Sequence, residues 1–290
     1  MVDRAEASAT RHEVALVETQ LVRVYDVSYR TPRRHFRPWG ACELTHIVLP
    51  RRGGFVLERF GERNVIDPNT AALVAYGDEC RVGYPDAGGD DCTCVVVPDD
   101  VLEEALGRVE GRLARFPPRD HLTVYVAIEK LKDAAADPLE GEETALLLLD
   151  SVARLFTNKT DLTTIHLRAA QRWRIEQVQA LLASAPAVRW DLHSVARAVH
   201  CSPFHLARQF RAATGETISR YLLQLRVSLA VERLADGETN LSALALETGF
   251  ANHSHFTARF RRLVGVTPSA ARRALETSRA KTGHRVLLGA

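Results

Sequence analysis

The C-terminal part of this 290-residue chain repeats itself, and the repeat constrains the fold more than any other feature. Leu192, Val195 and Ala196 correspond to Leu241, Leu244 and Ala245 at an offset of 49. Leu206, Phe210, Arg211 and Gly215 correspond to Phe256, Phe260, Arg261 and Gly265 at an offset of 50, the one-residue slip falling in the turn between. Gly215-Glu-Thr217-Ile-Ser219 also matches Gly265-Val-Thr267-Pro-Ser269. Two copies of one supersecondary unit are the economical reading.

Each copy reads as two helices joined by a tight turn. In the first, Asp191 caps a helix whose Leu192, Val195, Ala196 and Val199 share one face. His200-Cys201-Ser202 forms the turn. Ser202 then caps a second helix with Pro203 at its first position, Leu206 and Phe210 face inward, and Gly215 stops it. In the second copy Asn240 caps, and Leu241, Leu244 and Ala245 pack. Gly249 makes the turn, Asn252 caps, Phe256 and Phe260 pack, and Gly265 ends the helix. This is the pattern of a helix-turn-helix.

The outer faces of the two second helices carry the functional signal. Residues 203–213 contain Arg208 and Arg211 and no acid; residues 253–264 contain Arg259, Arg261 and Arg262 and no acid. The inward residues leave Phe204, Ala207, Arg208 and Arg211 outside in one copy, and His253, Ser254, Thr257, Ala258 and Arg261 in the other. Arginine bridges a guanine edge, and small or hydroxylated side chains fit near phosphates or a thymine methyl. A solvated basic face is the alternative for one such helix; two in register argue against it. Residues 217–234 join the copies as one apolar-periodic helix containing Ile218, Tyr221, Leu222, Leu225, Leu229 and Leu234. Its length, roughly 27 Å, suits two reading helices about one DNA turn apart, roughly 34 Å.

On these residues, segment 171–276 resembles the C-terminal domain of the AraC/XylS family of bacterial transcription regulators. The resemblance is carried by Ala196, Ser202-Pro-Phe-His-Leu206, Phe210 and Gly215, then by Tyr221, Arg226, Ala230 and Leu234. It continues through Ala245, Gly249-Phe250, Ser254-His-Phe256, Phe260-Arg261 and Gly265-Val-Thr-Pro268-Ser269. It implies a seven-helix domain whose third and sixth helices enter the groove. By position it assigns Phe204, Ala207 and Arg208, and then His253, Ser254, Thr257 and Ala258, to base-reading places. Ser202, Arg211, Asn252 and Arg261 complete the expected DNA-binding set. Two departures stand out. His200 replaces the usual glycine of the first turn, and histidine tolerates a left-handed backbone better than most residues. Ala258 occupies a place that can carry a long polar side chain, so the second motif is expected to favour backbone contacts.

Composition agrees with a two-part chain. The formal net charge is only +2, but residues 171–290 carry 17 Arg/Lys against 8 Asp/Glu, and residues 1–170 carry 21 against 28. A basic module beside an acidic one suggests different partners, nucleic acid among them. No apolar run approaches the roughly 18–20 residues that span a bilayer. Residues 1–12 lack the apolar core of a signal peptide. A cytoplasmic location without a membrane partner is therefore expected, and Cys42, Cys80, Cys92, Cys94 and Cys201 are expected to be thiols.

Residues 14–98 read as β. Short apolar runs at 44–49, 54–57, 71–74 and 94–97 are separated by turn clusters at 50–54, 67–69, 76–78 and 85–91. Residues 99–157 read as three helices. The first is capped by Asp99 or Asp100 and runs to about residue 116; the others cover about 119–136 and about 140–156. Leu131 and the cluster Leu146, Leu147, Leu148 and Leu149 either pack on the β domain or form a helical-hairpin dimer interface; different faces allow both. Asn158, Lys159, Thr160, Asp161, Thr163 and Thr164 read as a linker.

The family plan implies an α+β multidomain chain. Residues 1–157 are expected as an N-terminal cupin-like β barrel with a helical dimerisation segment (about 99–157), followed by a linker over 158–170. An all-α tandem helix-turn-helix domain over 171–276 and a basic tail over 277–290 complete it. Residues 67–78 resemble the strand and glycine turn of such barrels. In that plan a small effector binds inside the barrel; its identity and its contacts stay open here, and no cofactor is expected. A cupin enzyme needs clustered ligands, whereas His12, His35, His46, His121 and His166 are scattered, so no enzymatic chemistry is expected. Cys92 and Cys94 point to one face of a strand, with Cys80 on the strand presumed to be its neighbour. They read as small buried hydrophobes, the alternative being a thiol- or soft-metal-responsive regulator with the same DNA-binding domain. Cys201 is expected to pack. Arg30, Arg33, Arg34 and Arg37 read as a solvated arm, with an anion site as the alternative. The expected function is a sequence-specific transcription regulator, an activator, binding double-stranded DNA as a homodimer through its N-terminal half. RNA polymerase is a candidate further partner.

Overall fold

The computed structural model describes residues 9–32, 34–84, 87–107, 109–135, 137–157 and 169–286, with residues 169 and 280–286 described by their backbone only. Arg33, His166, the polar residues 158–164 of the expected linker and the end of the tail lie outside the described residues.

The N-terminal half contains strands β1 (Thr10–Glu18), β2 (Arg23–Thr31), β3 (His35–Phe36), β4 (Gly40–Ala41), β5 (His46–Gly53), β6 (Phe55–Arg59), β7 (Glu62–Ile66), β8 (Thr70–Val74), β9 (Glu79–Tyr84) and β10 (Gly88–Val96). Helix α1 (Asp99–Leu106), strand β11 (Arg112–Arg115), and helices α2 (Pro118–Ala134) and α3 (Pro138–Thr157) follow. One antiparallel sheet has the order β1-β2-β10-β5-β8-β11; the other has β3-β9-β6-β7, with β4 also on β9. The two-residue period of a strand explains how the sheets stack. Tyr25, Val48, Ala72, Val74, Cys92 and Cys94 of the first sheet meet Phe55, Leu57, Ile66 and Tyr84 of the second in one apolar layer. Val24, Ile47, Leu49, Leu73 and Val95 point the other way, into a second layer closed by α2 and α3. Among the described residues no ladder joins an edge of one sheet to an edge of the other.

Three local expectations are corrected. Residues 50–53 continue β5 instead of turning: Asp91 pairs with Arg52 but Cys92 with Pro50, so Arg51 is absorbed as a bulge. Gly88 to Asp91 likewise belong to β10. The first helix stops at Leu106, Pro98 precedes it without a side-chain cap, and Asp99 and Asp100 sit inside its first turn. Residues 112–115 form β11, whose backbone groups pair with β8 at the sheet edge. That pairing overrides helical propensity, which is only a weak prior.

The C-terminal half is helical: α4 (Ala169–Ser184), α5 (Leu192–Ala198), α6 (Pro203–Thr214), α7 (Ile218–Ala235), α8 (Leu241–Glu247), α9 (His253–Val264) and α10 (Pro268–Val286). Helix α4 begins inside the expected linker, and α10 runs on through most of the expected tail. Asp191, Ser202, Asn240 and Asn252 each cap their helix through the side chain, as expected. His200 does adopt a left-handed backbone, φ 51°. At the equivalent turn Gly249 has φ 84°, and a Cβ there would lie 2.7 Å from the Ala187 carbonyl oxygen and 2.9 Å from Arg226 Nε. Helix α7 serves both motifs. Its Ile218, Tyr221, Leu222 and Leu225 fill the core with α4, α5 and α6; its Val227, Ala230, Val231 and Leu234 fill that with α8, α9 and α10.

Helix α2 is apolar on two faces, and each face has a partner. Val124, Ala127, Ile128 and Leu131 join the layer under the first sheet. Leu122, Tyr125 and Val126 pack against the core of the second helix-turn-helix.

Candidate nucleic-acid interface

Helices α6 and α9 present the outer faces that the repeat predicts. Ser202, Phe204, Arg208 and Arg211 are exposed around α6, and Ala207 is half-buried. Asn252, His253, Ser254, Ala258 and Arg261 are exposed around α9; Thr257, expected outside, is half-buried, and its hydroxyl oxygen is enclosed without a hydrogen-bond partner. Phe204 is 73% exposed, an unusual place for a phenyl ring, and the Arg208 guanidinium lies over it at 5.7 Å. Inner side chains fix the helices: Leu206, Phe210, Phe256 and Phe260 are wholly buried. A further brace escaped the sequence reading. Arg174 of α4 donates to Gln209 Oε1 at 2.9 Å, and Gln209 Nε2 lies 2.8 Å from His205 Nε2, so α4 steadies α6 from behind.

The electrostatics sharpen the charge argument. All eight acids of residues 171–290 are engaged away from the outer faces of α6 and α9. Glu176 meets Arg63, Glu216 meets Arg115 and Arg220, and Glu232 and Asp236 meet Arg52. Glu238 and Glu247 pair with Arg233, Glu276 pairs with Arg272, and Asp191 caps α5. No carboxylate among the described residues pairs with Arg208, Arg211, Arg261 or Arg262. Those guanidiniums remain available to phosphates or base edges.

Four of these acids belong to a junction between the halves. Arg52 Nε donates to Glu232 at 2.8 Å, and its Nη2 donates to Asp236 at 2.9 Å. Arg63 Nε donates to Glu176 at 2.7 Å. Arg115 donates to Glu216 and to the Thr214 carbonyl at the end of α6. Asp67 accepts the Tyr221 hydroxyl, which also takes a bond from Gln179 at 3.0 Å. Burial pushes the Asp67 carboxyl up to about 6 and that of Glu232 up to about 7. The partners across the junction stand 99 to 184 residues apart, and nothing local marks them.

The fold sets Cys80 apart from Cys92 and Cys94, and gives Arg30 and Arg34 partners of their own. Cys92 and Cys94 do share one face, inside the layer between the sheets. Cys80, however, lies on β9 in the other sheet, not on a strand neighbouring β10. Cys92 donates to Asp90 at 2.8 Å, and burial raises both Cys92 and Cys94, the latter to about 12, so both are protonated thiols at neutral pH. Among the described residues no group of three His, Cys, Asp or Glu is placed to hold a metal ion. Cys201 packs against the first helical core. Arg30 is engaged by Asp91 through two bonds, 2.7 and 2.9 Å, while Arg34 lies over Phe36. His121 is buried against Phe116, its ring bonded to the Pro68 carbonyl at 2.7 Å, and burial lowers it to about 4.

Leu131, Leu148 and Leu149 pack under the first sheet. Leu139, Leu146 and Leu147 leave an apolar face of α3 open, at 69%, 50% and 62% exposure. Among the described residues no helix is long and apolar enough to cross a membrane.

Comparison with known proteins agrees with the tandem motif. Residues 195–274 match a family described as a helix-turn-helix domain. The HTH-type transcriptional activator RhaR of Salmonella typhimurium is 31% identical over 134 residues, 46% of this chain and 47% of RhaR. RhaR of Salmonella enteritidis PT4 matches equally, so the chain spans about half the length of these curated relatives. Among solved structures, fatty-acid-bound ToxT from Vibrio cholerae is 14% identical, covering 89% of this chain and 96% of that one at a TM-score of 0.35. The C-terminal domain of AraT, a response regulator from Geobacillus stearothermophilus, is 25% identical over 38% of this chain and 88% of that one, at 0.33. Through residues 195–274 the chain carries a helix-turn-helix domain of the AraC/XylS type.

Proposed function

We propose that the protein is a cytoplasmic, sequence-specific transcription activator, not an enzyme, that binds double-stranded DNA as a homodimer and answers to a small effector held in its N-terminal half. The observation that carries this reading is the pair of acid-free outer faces on α6 and α9, with every acid of residues 171–290 engaged elsewhere. Phe204, Ala207 and Arg208 read bases. Arg211, Arg261 and the capped starts of the helices at Ser202 and Asn252 hold phosphates. His253, Ser254, Thr257 and Ala258 supply the second, weaker reading surface. The relatives' name as activators supports activation, which brings RNA polymerase in as a further partner. The open leucines of α3 supply the dimer face. In this reading the domains divide as residues 1–157, a linker at 158–170, and the DNA-binding domain at 171–276.

Arg208→Ala is expected to weaken operator binding by about 1–3 kcal/mol and to relax preference at one base position. Arg208 is exposed and outside the cores, so thermal stability should barely move. Gel-shift titration at fixed salt, on the cognate duplex and on single-base variants, reads both effects. Unchanged affinity and unchanged preference would remove Arg208 from the interface.

A further inference from the structure

A cavity of about 470 Å³ lies where β11 and the start of α2 meet the turn between α6 and α7. Its size suits a small molecule. Arg115, Arg119 and Asp120 line it from one half of the chain, and Glu216, Arg220 and Gln224 from the other. Three guanidiniums thus face two carboxylates. Arg115 is committed, donating both to Glu216 and to the Thr214 carbonyl. The other two arginines are loosely held. Arg220 Nε stands 3.2 Å from Glu216 Oε2, and Arg119 Nε stands 3.5 Å from Asp120 Oδ1. Their side chains are 66% and 68% exposed. Each guanidinium has five N–H donors, and at their closest approach these ion pairs engage Nε alone. Glu216, shared between Arg115 and Arg220, leaves the positive charge uncompensated.

We infer that this cavity binds a small multiply charged oxyanion, its oxygens taken by Arg119 from the N-terminal half and by Arg220 from α7. The shared chemistry is a planar or tetrahedral group of anionic oxygens, as in a phosphate ester or a polycarboxylate, which suits the fork of a guanidinium. The site lies outside the layer between the sheets, so it goes beyond the effector reading above. Its occupant ties the two halves together beside the end of α6, because Arg115 already holds that end through Thr214. An anion here also competes with Glu216 for Arg220, and so reaches the same helix terminus by a second route.

The test is calorimetric titration of the full chain, without DNA, at constant ionic strength in chloride. Inorganic phosphate is the probe in one arm and citrate in the other. Saturable binding of one equivalent is expected in at least one arm. Phosphate alone points to a phosphate ester as the natural occupant, and citrate alone to a polycarboxylate. The double variant Arg119→Ala/Arg220→Ala should bind at least about tenfold more weakly, the scale of a lost charged hydrogen bond. Both side chains are exposed, so the variant should keep its melting temperature; Arg208→Ala serves as the second variant and should bind the anion normally. The inference is overturned if neither anion saturates, if the double variant binds like the parent, or if Arg208→Ala weakens binding as much. Because no DNA is present, failure here is distinct from failure of the DNA-binding reading.

Discussion

Phe256→Ala should lower the unfolding free energy by about 3–5 kcal/mol, the range for deleting a fully buried phenyl ring. Phe256 is wholly buried, with the rings of Phe250 and Phe260 at 5.2 and 5.5 Å. The core it occupies is also the one that receives Leu122, Tyr125 and Val126 of α2. The cavity left behind would therefore loosen the second motif and its attachment to the N-terminal half together. A loss of this size is a large part of the stability of an ordinary domain, and DNA binding should fall with it. Urea unfolding measures the effect. Phe204→Ala is the control: that ring is 73% exposed on the equivalent helix, so its loss should spare stability. Equal losses in both variants would contradict the assignment of inner and outer faces.

The second large effect depends on pH. Asp67 is fully buried beneath α7, and burial lifts its carboxyl from the ordinary 3.8 to about 6. The folded state therefore holds a proton that the unfolded state releases at lower pH. Stability from this group is greatest below about pH 4, falls as pH rises through the window from about 4 to about 6, and stays low above it. The fall is on the order of 2–3 kcal/mol at 1.36 kcal/mol per pH unit. Asp67→Asn removes the titration. An asparagine oxygen keeps the bond from the Asn69 amide, 2.9 Å in the parent. Its NH₂ meets the Tyr221 oxygen once the Gln179 amide turns over to accept the hydroxyl proton. The variant should match the parent near pH 4 and exceed it near pH 7. Guanidinium unfolding across that range checks this, and parallel stability profiles for the two proteins would refute it. Glu232, lifted to about 7 behind Arg52, should contribute in the same direction.

The features legible in the sequence are those written locally. Asp191, Ser202, Asn240 and Asn252 were identifiable because a cap is chosen by its own next three residues. Gly215 and Gly265 announced their helix ends, and His200 kept a turn that its side chain makes costly. Residues 112–115 were misread because an alternation as short as Arg-Leu-Ala-Arg fits either state, and only pairing with β8 decides it. The bulge at Arg51 depends on β10, which no local signal around Pro50 reports. The junction was beyond reach for the same reason. Arg52, Arg63 and Arg115 sit in an acidic half, Glu176, Glu216 and Glu232 in a basic one, and each looks like background until the chain brings them together. Tyr221 and Leu122 show the limit from the apolar side. Both satisfy a helical period, and periodicity does not say that Tyr221 meets Asp67 or that Leu122 faces a different core from Leu131.

The central claim is that α6 and α9 read DNA as a pair. Selection of random duplexes by the purified 290-residue chain tests it most directly. The enriched sites should contain two preferred segments about one helical turn apart, roughly 10 base pairs. The segment under α9 should be the less stringent, and Arg208→Ala should relax only the other. Recovery of no preferred sequence, or of a preference that Arg208→Ala leaves untouched in both segments, would contradict the account.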